Sequence, residues 1–295
     1  MDPAEDVYEA GVQKLELGRD YPDIEQLFSQ EGWPFTRRDL ELSQNQSKAT
    51  SFVCRQNSQF AGFFSTHNFG HVAYLDNMIT LPEFRKWGVA RRLYCQTMQT
   101  LRAKSLRSFV VHTTNQSAPM IEYLGFDPGP DYTLLRREPG RGGSEVWDDA
   151  VVELGPADLE DLVVLDERLF GIRRTRWVEG LFDRADNYFF GARENGRLVA
   201  SVCLRTRRNS ALCIDSVHVR DTRFLPLLIR HVAARFGDRR LECFARVDSE
   251  LEEILKKMDF SVPEFFRSVG PLTEWRKGDT DALGSPLTAQ SLNWF

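Results

Sequence analysis

The segment best suited to bind a charged ligand is the tetrapeptide Arg-Lys-Trp-Gly at residues 85–88, which lies between a strand pattern and a helix pattern. The first N–H groups of a helix have no partner within the helix, and the helix dipole adds partial positive charge there. A glycine has no Cβ, so at that point the backbone can come close to a ligand. Because Arg91 and Arg92 add further positive charge, the segment predicts a seat for an anion such as a pyrophosphate.

The pattern Arg85-x-x-Gly88-x-Ala90 resembles the acyl-CoA-binding signature R/Q-x-x-G-x-G/A of the GNAT superfamily of N-acetyltransferases. Residues 115–126 resemble the family's N-x-x-A-x-x-L-Y-E-K-L-G-F segment. Residues 31–39, in which an Asp lies six residues past a Glu-Gly-Trp triplet, resemble a subgroup of tandem GNAT proteins whose second half is a divergent copy. The resemblance covers essentially the whole chain, strongly over 20–137 and more weakly over 150–276.

This resemblance implies a set of ligand-binding residues. The pantetheine arm of CoA would pair with the end of a long strand that has a bulge there and splays from its neighbour. A backbone N–H near Met78 would act as an oxyanion hole for the thioester carbonyl, and Asn115 would bind the pantetheine arm or shape its slot. Acetyl-CoA is the implied co-substrate, and no metal is expected. The implied acyl-CoA-binding residues are Met78, Ile79, Thr80, Arg85, Lys86, Trp87, Gly88, Val89, Ala90, Arg91 and Asn115.

An amine acceptor must lose a proton before it attacks, and a carboxylate, a histidine or a water chain can take that proton. Asp76 is the first candidate, because it lies two residues before Met78 and so on the same face of the strand. Tyr74 and His71 are the next candidates for the base. A structural role for Asp76 stays open, since the second half of the chain has Asp215 in the matching place.

The general acid departs from the family pattern. Many relatives have a tyrosine four residues before the glycine of the Gly-Phe pair, and this chain has Ile121 there. Tyr123 lies two residues later, about 200° further round a helix. Three alternatives stay open: Tyr123 reaches the thiolate from another direction, another residue or water does so, or the thiolate leaves unassisted.

The pattern of strands and helices that would position these residues occurs twice along the chain. Each half has two strands around a tight turn, Asn57-Ser58 or Asn195-Gly196, a pairing typical of type I′ hairpins. A mixed α/β (α+β) architecture is therefore expected, with two tandem GNAT folds that each have a mixed central sheet flanked by helices. The other matched segments are helices at 23–30 and 157–170, long strands at 73–79 and 212–218, strands at 108–114 and 241–247, and final strands at 132–135 and 265–269.

The second copy differs where the anion would sit. Leu227 stands in the place of Gly88, both basic residues of the seat are gone, and Pro226 removes one N–H donor. We therefore predict that this copy has lost acyl-CoA binding and serves as a structural partner or a ligand-sensing module. His218 and His231 are expected to be isolated surface or core residues.

Composition excludes several classes of protein. The 295-residue chain has 42% hydrophobic and 27% charged residues, which is too apolar for a disordered chain. The net charge of −5 does not favour a nucleic-acid partner. No apolar run approaches the roughly 20 residues of a membrane helix, and the acidic N-terminus has no secretory signal pattern. The five cysteines form no C-x-x-C pair, which favours buried free thiols in a reducing, cytoplasmic compartment.

These observations predict an N-terminal catalytic GNAT domain over 1–138, a linker over 139–149, a divergent GNAT-like domain over 150–276 and a tail over 277–295. The expected activity is transfer of an acetyl (acyl) group from acetyl-CoA to a primary amine of a small molecule or peptide, by direct attack in a ternary complex. A non-catalytic acyl-CoA-binding sensor is the alternative. A scaffold that binds no CoA fits less well, because the first half keeps the signature. Neither the acceptor nor the oligomeric state can be read from the sequence.

Overall fold

The computed structural model describes residues 11–33, 35–140, 150–207 and 210–278. These residues form mixed β-sheets with tight hairpins and flanking helices. The chain divides into two compact units. Among the described residues, the first unit contains those up to Val111 together with 277–278, and the second contains those from His112 to Arg276. The predicted linker lies outside the described residues from residue 141 onward, and the predicted tail does so from residue 279 onward.

The first unit is a mixed sheet in the order β1-β2-β3-β4-β5, in which β4 and β5 are parallel and the other neighbours antiparallel. Its turn at Asn57-Ser58 has φ values of 50° and 68°, which confirms the predicted type I′ hairpin. The strands are β1 (Val12–Lys14), β2 (Phe52–Gln56), β3 (Gln59–Phe69), β4 (Val72–Thr80) and β5 (Ser108–Thr114), and the helices are α1 (Leu17–Gln30), α2 (Arg37–Gln46) and α3 (Val89–Ala103).

The core of the first unit lies between α1 and the sheet. Ile24 and Phe28 on the helix belong to one buried apolar cluster with Phe63 and Ile79 on β3 and β4. Helix α3 buries the face that contains Leu93, Met98 and Leu101. Sheet residues near the strand ends are thereby held from two sides.

The second unit contains a mixed sheet in the order β7-β8-β9-β10-β11-β6-β12. Strand β6 (Asp127–Arg137) pairs with β11 (Leu241–Arg246) along six residues and with β12 (Leu272–Lys277) on its other edge. The other strands are β7 (Val151–Glu153), β8 (Asn187–Glu194), β9 (Arg197–Thr206) and β10 (Leu212–Val219), and the helices are α4 (Ala118–Tyr123), α5 (Leu159–Phe170), α6 (Thr175–Phe182), α7 (Leu225–Arg235), α8 (Glu250–Lys257) and α9 (Glu264–Val269).

One predicted strand is wrong. Residues 265–269 form most of helix α9, and the final strand is β12, which follows it. Pro263 immediately precedes the helix with its φ near −62°, and Gly270 ends it with a φ of +85°. Phe265 and Val269, whose apolar character indicated a strand, are 54% and 43% exposed.

Candidate active site

The predicted anion seat begins where β4 ends at Thr80. A 3₁₀ turn, Pro82–Phe84, leads to Lys86 and Gly88, which both have left-handed backbones with φ of 69° and 75°. Helix α3 starts directly after Gly88, and no side chain caps that start. A Cβ built on Gly88 would find no atom within 4 Å, so the space before the helix is open. The uncapped N–H groups and the open space fit phosphate oxygens.

Basic and aromatic side chains surround this seat. Arg85 is exposed, donates to the Thr80 carbonyl over 3.3 Å and forms an ion pair with Glu31, which lies just after α1. The Arg92 guanidinium donates to the Trp87 carbonyl over 2.9 Å and so braces the loop. Trp87 is 59% exposed and packs edge-on against Phe84. Lys86 and Arg91 are exposed as well, so the seat is positively charged.

Strand β4 has the bulge and the splay that the resemblance implies. Ser65 pairs with Asp76 and Phe63 with Ile79, so β4 has one extra residue over this interval. Asn77, inside the bulge, has a φ of 31°. The described pairing of β4 with β5 covers only the four residues from Val72 onward. The backbone from Asp76 to Thr80 therefore faces β5 without a ladder, which leaves room for a ligand to pair with it.

Asp76, the candidate base, is buried in a hydrogen-bond chain. Its Oδ1 accepts the Asn77 N–H at 2.8 Å, and its Oδ2 lies 2.8 Å from Nε2 of His67 on β3. The Nδ1 of His67 lies 3.3 Å from the Ser47 hydroxyl, which donates to the Ser43 carbonyl at 2.7 Å. The side chains of His67 and Asp76 are only 5% and 1% exposed.

Asn77 contributes an unusual polar atom. Its amide donates to the Ser65 hydroxyl over 3.3 Å, whereas its Oδ1 is buried and has no hydrogen-bond partner among the described residues. A buried acceptor without a partner is costly, and a donor from a ligand would satisfy it. Neither Asn77 nor His67 was identified from the sequence. The available signal was an Asn within a strand, because Asn is depleted in strands and tolerates positive φ.

The other proton-transfer candidates are less well placed. Tyr123 is 88% exposed on α4, and Ile121, at the family's tyrosine position, is buried. A thiolate gains little from an acid that faces bulk solvent. Tyr74 is buried in the paired part of β4, opposite His67, and His71 is exposed in the turn before it. Asn115 is exposed just after β5.

A second buried polar cluster lies in the second unit. The Glu274 carboxylate on β12 accepts from the Tyr132 hydroxyl at 3.2 Å and lies 3.3 Å from His112 Nε2. Arg276 also donates to it. Burial alone would raise the pKa of Glu274, but the hydrogen bond from His112 and the nearby positive charges outweigh it and lower the pKa to about 2. Burial and the Glu274 charge raise the pKa of Tyr132.

Comparison with known proteins agrees with this geometry. The acetyltransferase (GNAT) family model matches residues 19–126, which include the anion seat and the bulged strand. No curated protein matches the sequence. Residues 19–126 are a GNAT domain.

Solved structures extend the GNAT fold to the whole chain. A candidate acetyltransferase from Pyrococcus horikoshii has a TM-score of 0.76 at 14% identity, with 95% of this chain and 93% of that chain covered. A tandem GNAT protein from the clavulanic acid biosynthesis pathway has a TM-score of 0.65 at 13% identity, with coverages of 93% and 99%. A GNAT protein from Sphaerobacter thermophilus has a TM-score of 0.60 at 14% identity, covering 90% of this chain and 95% of that chain. The chain thus has the fold of tandem GNAT proteins.

The second GNAT-like copy lacks the loop that forms the anion seat. After β10 a 3₁₀ turn, Thr222–Phe224, passes directly into α7, so that Phe224 precedes the helix with a φ of −80°. Phe224, and not the predicted Leu227, therefore occupies the position that Gly88 has before α3. Arg223 is paired with Glu194 and Asp221. The left-handed turn and its open space are both missing from this copy.

The matching aspartate of this copy, Asp215, is also buried and paired with cations. Its Oδ1 accepts from Arg205 at 3.1 Å and from Arg207 at 3.3 Å. Strand β10 has a register shift at this residue, between Ile214 and Ser216. The two copies thus share a bulge beside an aspartate that is bound to a nitrogen-bearing side chain, His67 or Arg205.

His218 is not isolated, contrary to the prediction. Its Nε2 lies 3.0 Å from Asp166, and its Nδ1 lies 3.2 Å from the Ser201 hydroxyl. Arg174 also donates to Asp166. Burial alone would raise the pKa of Asp166, but the Arg174 charge and the His218 hydrogen bond outweigh it and lower that pKa. His231 is buried against Phe190, in agreement with a core role.

Cysteine and metal chemistry add no further site. All five cysteines are free thiols; Cys54, Cys203, Cys213 and Cys243 are buried, whereas Cys95 is exposed instead of packed as predicted. Burial raises the pKa of Cys213 to about 11. Within the described ranges, no group of three or more His, Cys, Asp or Glu side chains is arranged to hold a metal ion. None of the described helices combines the length and apolarity needed to cross a bilayer.

Proposed function

We propose that the protein is an acyl-CoA-dependent N-acyltransferase that transfers an acetyl group to a primary amine of a small molecule or peptide. One observation supports this proposal most strongly: two features follow each other within one GNAT domain. The first is the bulged end of β4, which is not paired with β5, and the second is the open, uncapped start of α3 after Gly88. The first offers backbone groups to an amide-bearing chain, and the second offers N–H donors to phosphates. Acyl-CoA has both parts.

In this proposal the backbone N–H groups of residues 88–91 hold the pyrophosphate, with Arg85, Lys86 and Arg91 supplying positive charge. Residues 78–80 pair with the pantetheine arm, Asn115 contributes to its slot, and the remaining signature residues shape the seat. The side-chain oxygen of Asn77 accepts a hydrogen bond from a ligand N–H. This bond would satisfy a buried atom that has no hydrogen-bond partner among the described residues.

The Met78 N–H is the proposed oxyanion donor. Acetyl-CoA supplies a thioester carbonyl, which becomes negatively charged when the amine attacks it. A fixed N–H aimed at that oxygen forms a stronger hydrogen bond in the transition state than in the ground state. This difference lowers the activation barrier. The amine loses its proton, and the thiolate of CoA leaves. Asp76 lies two residues before this donor on the same strand.

The second candidate function is a non-catalytic acyl-CoA sensor. It is favoured by one observation: Ile121 is buried at the family's tyrosine position, and the nearby Tyr123 faces solvent. In either case the second copy serves as a structural partner of the first, because its helix start lacks the seat.

Acetyl-CoA offered with a panel of primary amines, followed by detection of free thiol, separates the two functions. Amine-dependent thiol release supports the transferase, whereas a rise in unfolding temperature with acetyl-CoA but no release supports the sensor. A ligand at 100 times its Kd adds about 2.7 kcal/mol to the free energy of unfolding, which is readily measured. No shift and no release would contradict both.

A further inference from the structure

The hydrogen bonds around Asp76 enclose its carboxylate within the protein. The Ser47 hydroxyl donates to the Ser43 carbonyl at 2.7 Å. Nδ1 of His67 lies 3.3 Å from the same hydroxyl oxygen, and its Nε2 lies 2.8 Å from Asp76 Oδ2. Because the side chains of His67 and Asp76 are only 5% and 1% exposed, a proton from an amine would have to enter a buried site to reach this carboxylate.

The other oxygen of Asp76 holds the bulge. Its Oδ1 accepts the N–H of Asn77, whose φ of 31° is unfavourable for a residue with a Cβ. That bond compensates for the unfavourable backbone and fixes the peptide plane that follows. The next N–H along the chain belongs to Met78. The carboxylate thus controls the direction of the proposed oxyanion donor without reaching a substrate.

The second copy repeats this arrangement in the same register. His67 pairs across the sheet with Tyr74, two residues before Asp76. Arg205 pairs with Cys213, two residues before Asp215, and donates to that carboxylate. In the second copy the cation is an arginine, which does not give up its proton, so the pair is charged there. A carboxylate that persists beside the bulge in a copy without an anion seat has a structural task in the sheet.

We propose that Asp76 is a positioning residue, held by His67 and Ser47, that fixes the β4 bulge so that the Met78 N–H faces the acyl carbonyl. This rests on the proposed acyl transfer. The amine's proton leaves through water, one of the acceptors considered from the sequence, and Asp76 does not take it. The bulge geometry is a property of the protein itself, so it can be tested with and without turnover.

The test compares Asp76→Asn with Asp76→Ala. The Asn amide oxygen can still accept the Asn77 N–H, so kcat should stay within about threefold of the parent value. Alanine cannot, and kcat should fall roughly a hundredfold to a thousandfold, the range for a lost oxyanion donor, while KM for acetyl-CoA changes little. If Asp76→Asn loses as much kcat as Asp76→Ala and removes the acid limb of the pH–rate profile, Asp76 is the base and the proposal is wrong.

Hydrogen exchange supplies a readout without turnover. Peptides covering residues 76–80 should exchange faster in Asp76→Ala than in the parent and at the parent rate in Asp76→Asn. Equal rates in all three would overturn the proposal even if the parent showed no transfer, whereas absent transfer with the expected exchange would count against the proposed function alone. Should the alanine variant not fold, His67→Leu replaces it, because it leaves Asp76 without its partner. Asp215→Asn is the matched control and should leave kcat unchanged.

Discussion

Gly88 is the residue on which the proposed CoA binding depends most directly. Its left-handed backbone turns the chain into α3, and the space where a Cβ would point is empty. A side chain there would fill the volume assigned to phosphate oxygens and strain the backbone at the same time. These two effects can be separated, because the second copy has a glycine with the same conformation but no seat.

We expect Gly88→Val to raise the Kd for CoA at least about tenfold, which corresponds to about 1.4 kcal/mol. The matched control is Gly196→Val, because Gly196 has a φ of 76° and equally open surroundings in the β8–β9 hairpin. Both variants should lose similar stability, and only Gly88→Val should lose affinity when the Kd is measured by calorimetry. Equal affinities in the two folded variants would place the phosphates elsewhere.

At the residue scale, the sequence predicted which residues occupy special backbone positions, but it did not predict the hydrogen-bond partners of their side chains. Gly88 and Asp76 follow from a motif and a strand position, since both depend on local order. His67 and Ser47 lie 9 and 29 residues before Asp76 in the chain, and no spacing rule connects them to it. The pairing exists because β3 and β4 fold into one register, and that register shifts at the bulge. Long-range partners of this kind require the sheet to be known.

At the element scale, the two hairpins show how local chemistry decides a turn. Both have the positive φ values of a type I′ turn, but the first places a serine at the second position, with a φ of 68°. An L-residue in that region costs roughly 1–2 kcal/mol relative to its preferred backbone, and glycine does not pay it. The side chain of Ser58 is exposed and contributes no packing that its removal would lose.

Ser58→Gly should therefore increase the free energy of unfolding by about 1 kcal/mol, and Gly196→Ser should decrease it by a similar amount. Thermal or denaturant unfolding of the full chain measures both changes. A loss of stability in Ser58→Gly would mean that the hydroxyl or the lower flexibility of serine matters more than the backbone strain.

Element boundaries were predictable where periodicity and turn residues agreed, as for β5 at residues 108–114. The prediction failed at residues 265–269, where apolar residues in a short segment fit a strand as well as a helix. The Pro263 and Gly270 that bracket α9 are the discriminating signals. The role of β6 could not be predicted either, because its pairing with β11 joins residues more than 100 positions apart.

The cluster around Glu274 stabilises the second unit through charge. The folded-state pKa of about 2 lies below the ordinary value of 4.5 for a glutamate, so this carboxylate contributes stability above pH 4.5 that is lost as the pH falls towards 2. We expect Glu274→Gln to lower the free energy of unfolding by about 3 kcal/mol near neutral pH. Denaturant unfolding from pH 7 to pH 2 measures this, and the difference between variant and parent should shrink below pH 4.5. The exposed Glu264, changed to Gln, is the control and should leave the acid dependence as it is.

At the scale of the whole molecule, the chain contains one architecture twice, with the predicted anion seat in the first copy only. Strands β2–β5 and β8–β11 run in the same order, and in each set the last pair is parallel. Both copies have a bulge beside a buried aspartate, which contacts His67 in the first copy and Arg205 in the second. They differ at the helix start, where the first copy has an open left-handed turn and the second passes straight from a 3₁₀ turn into α7. Retained sheet geometry without the anion seat indicates a copy kept for its structure.

Because only the first copy has the predicted anion seat, we expect one chain to bind one CoA. In the second copy Pro226 removes an N–H from the first turn of α7, and Phe224 occupies the position before the helix. A pyrophosphate there would lose backbone donors and meet apolar side chains, and burying it without partners is strongly unfavourable. Titration calorimetry of the full chain should give a stoichiometry near one, and Gly88→Val should reduce the heat of the single transition without revealing another site. The whole chain is the proper material, because β6 pairs with β11 and β12, and a fragment that starts at residue 150 would remove this shared neighbour from both strands. A stoichiometry of two, or CoA binding that persists at parental affinity in Gly88→Val, would show that the second copy has kept a functional seat built from other residues.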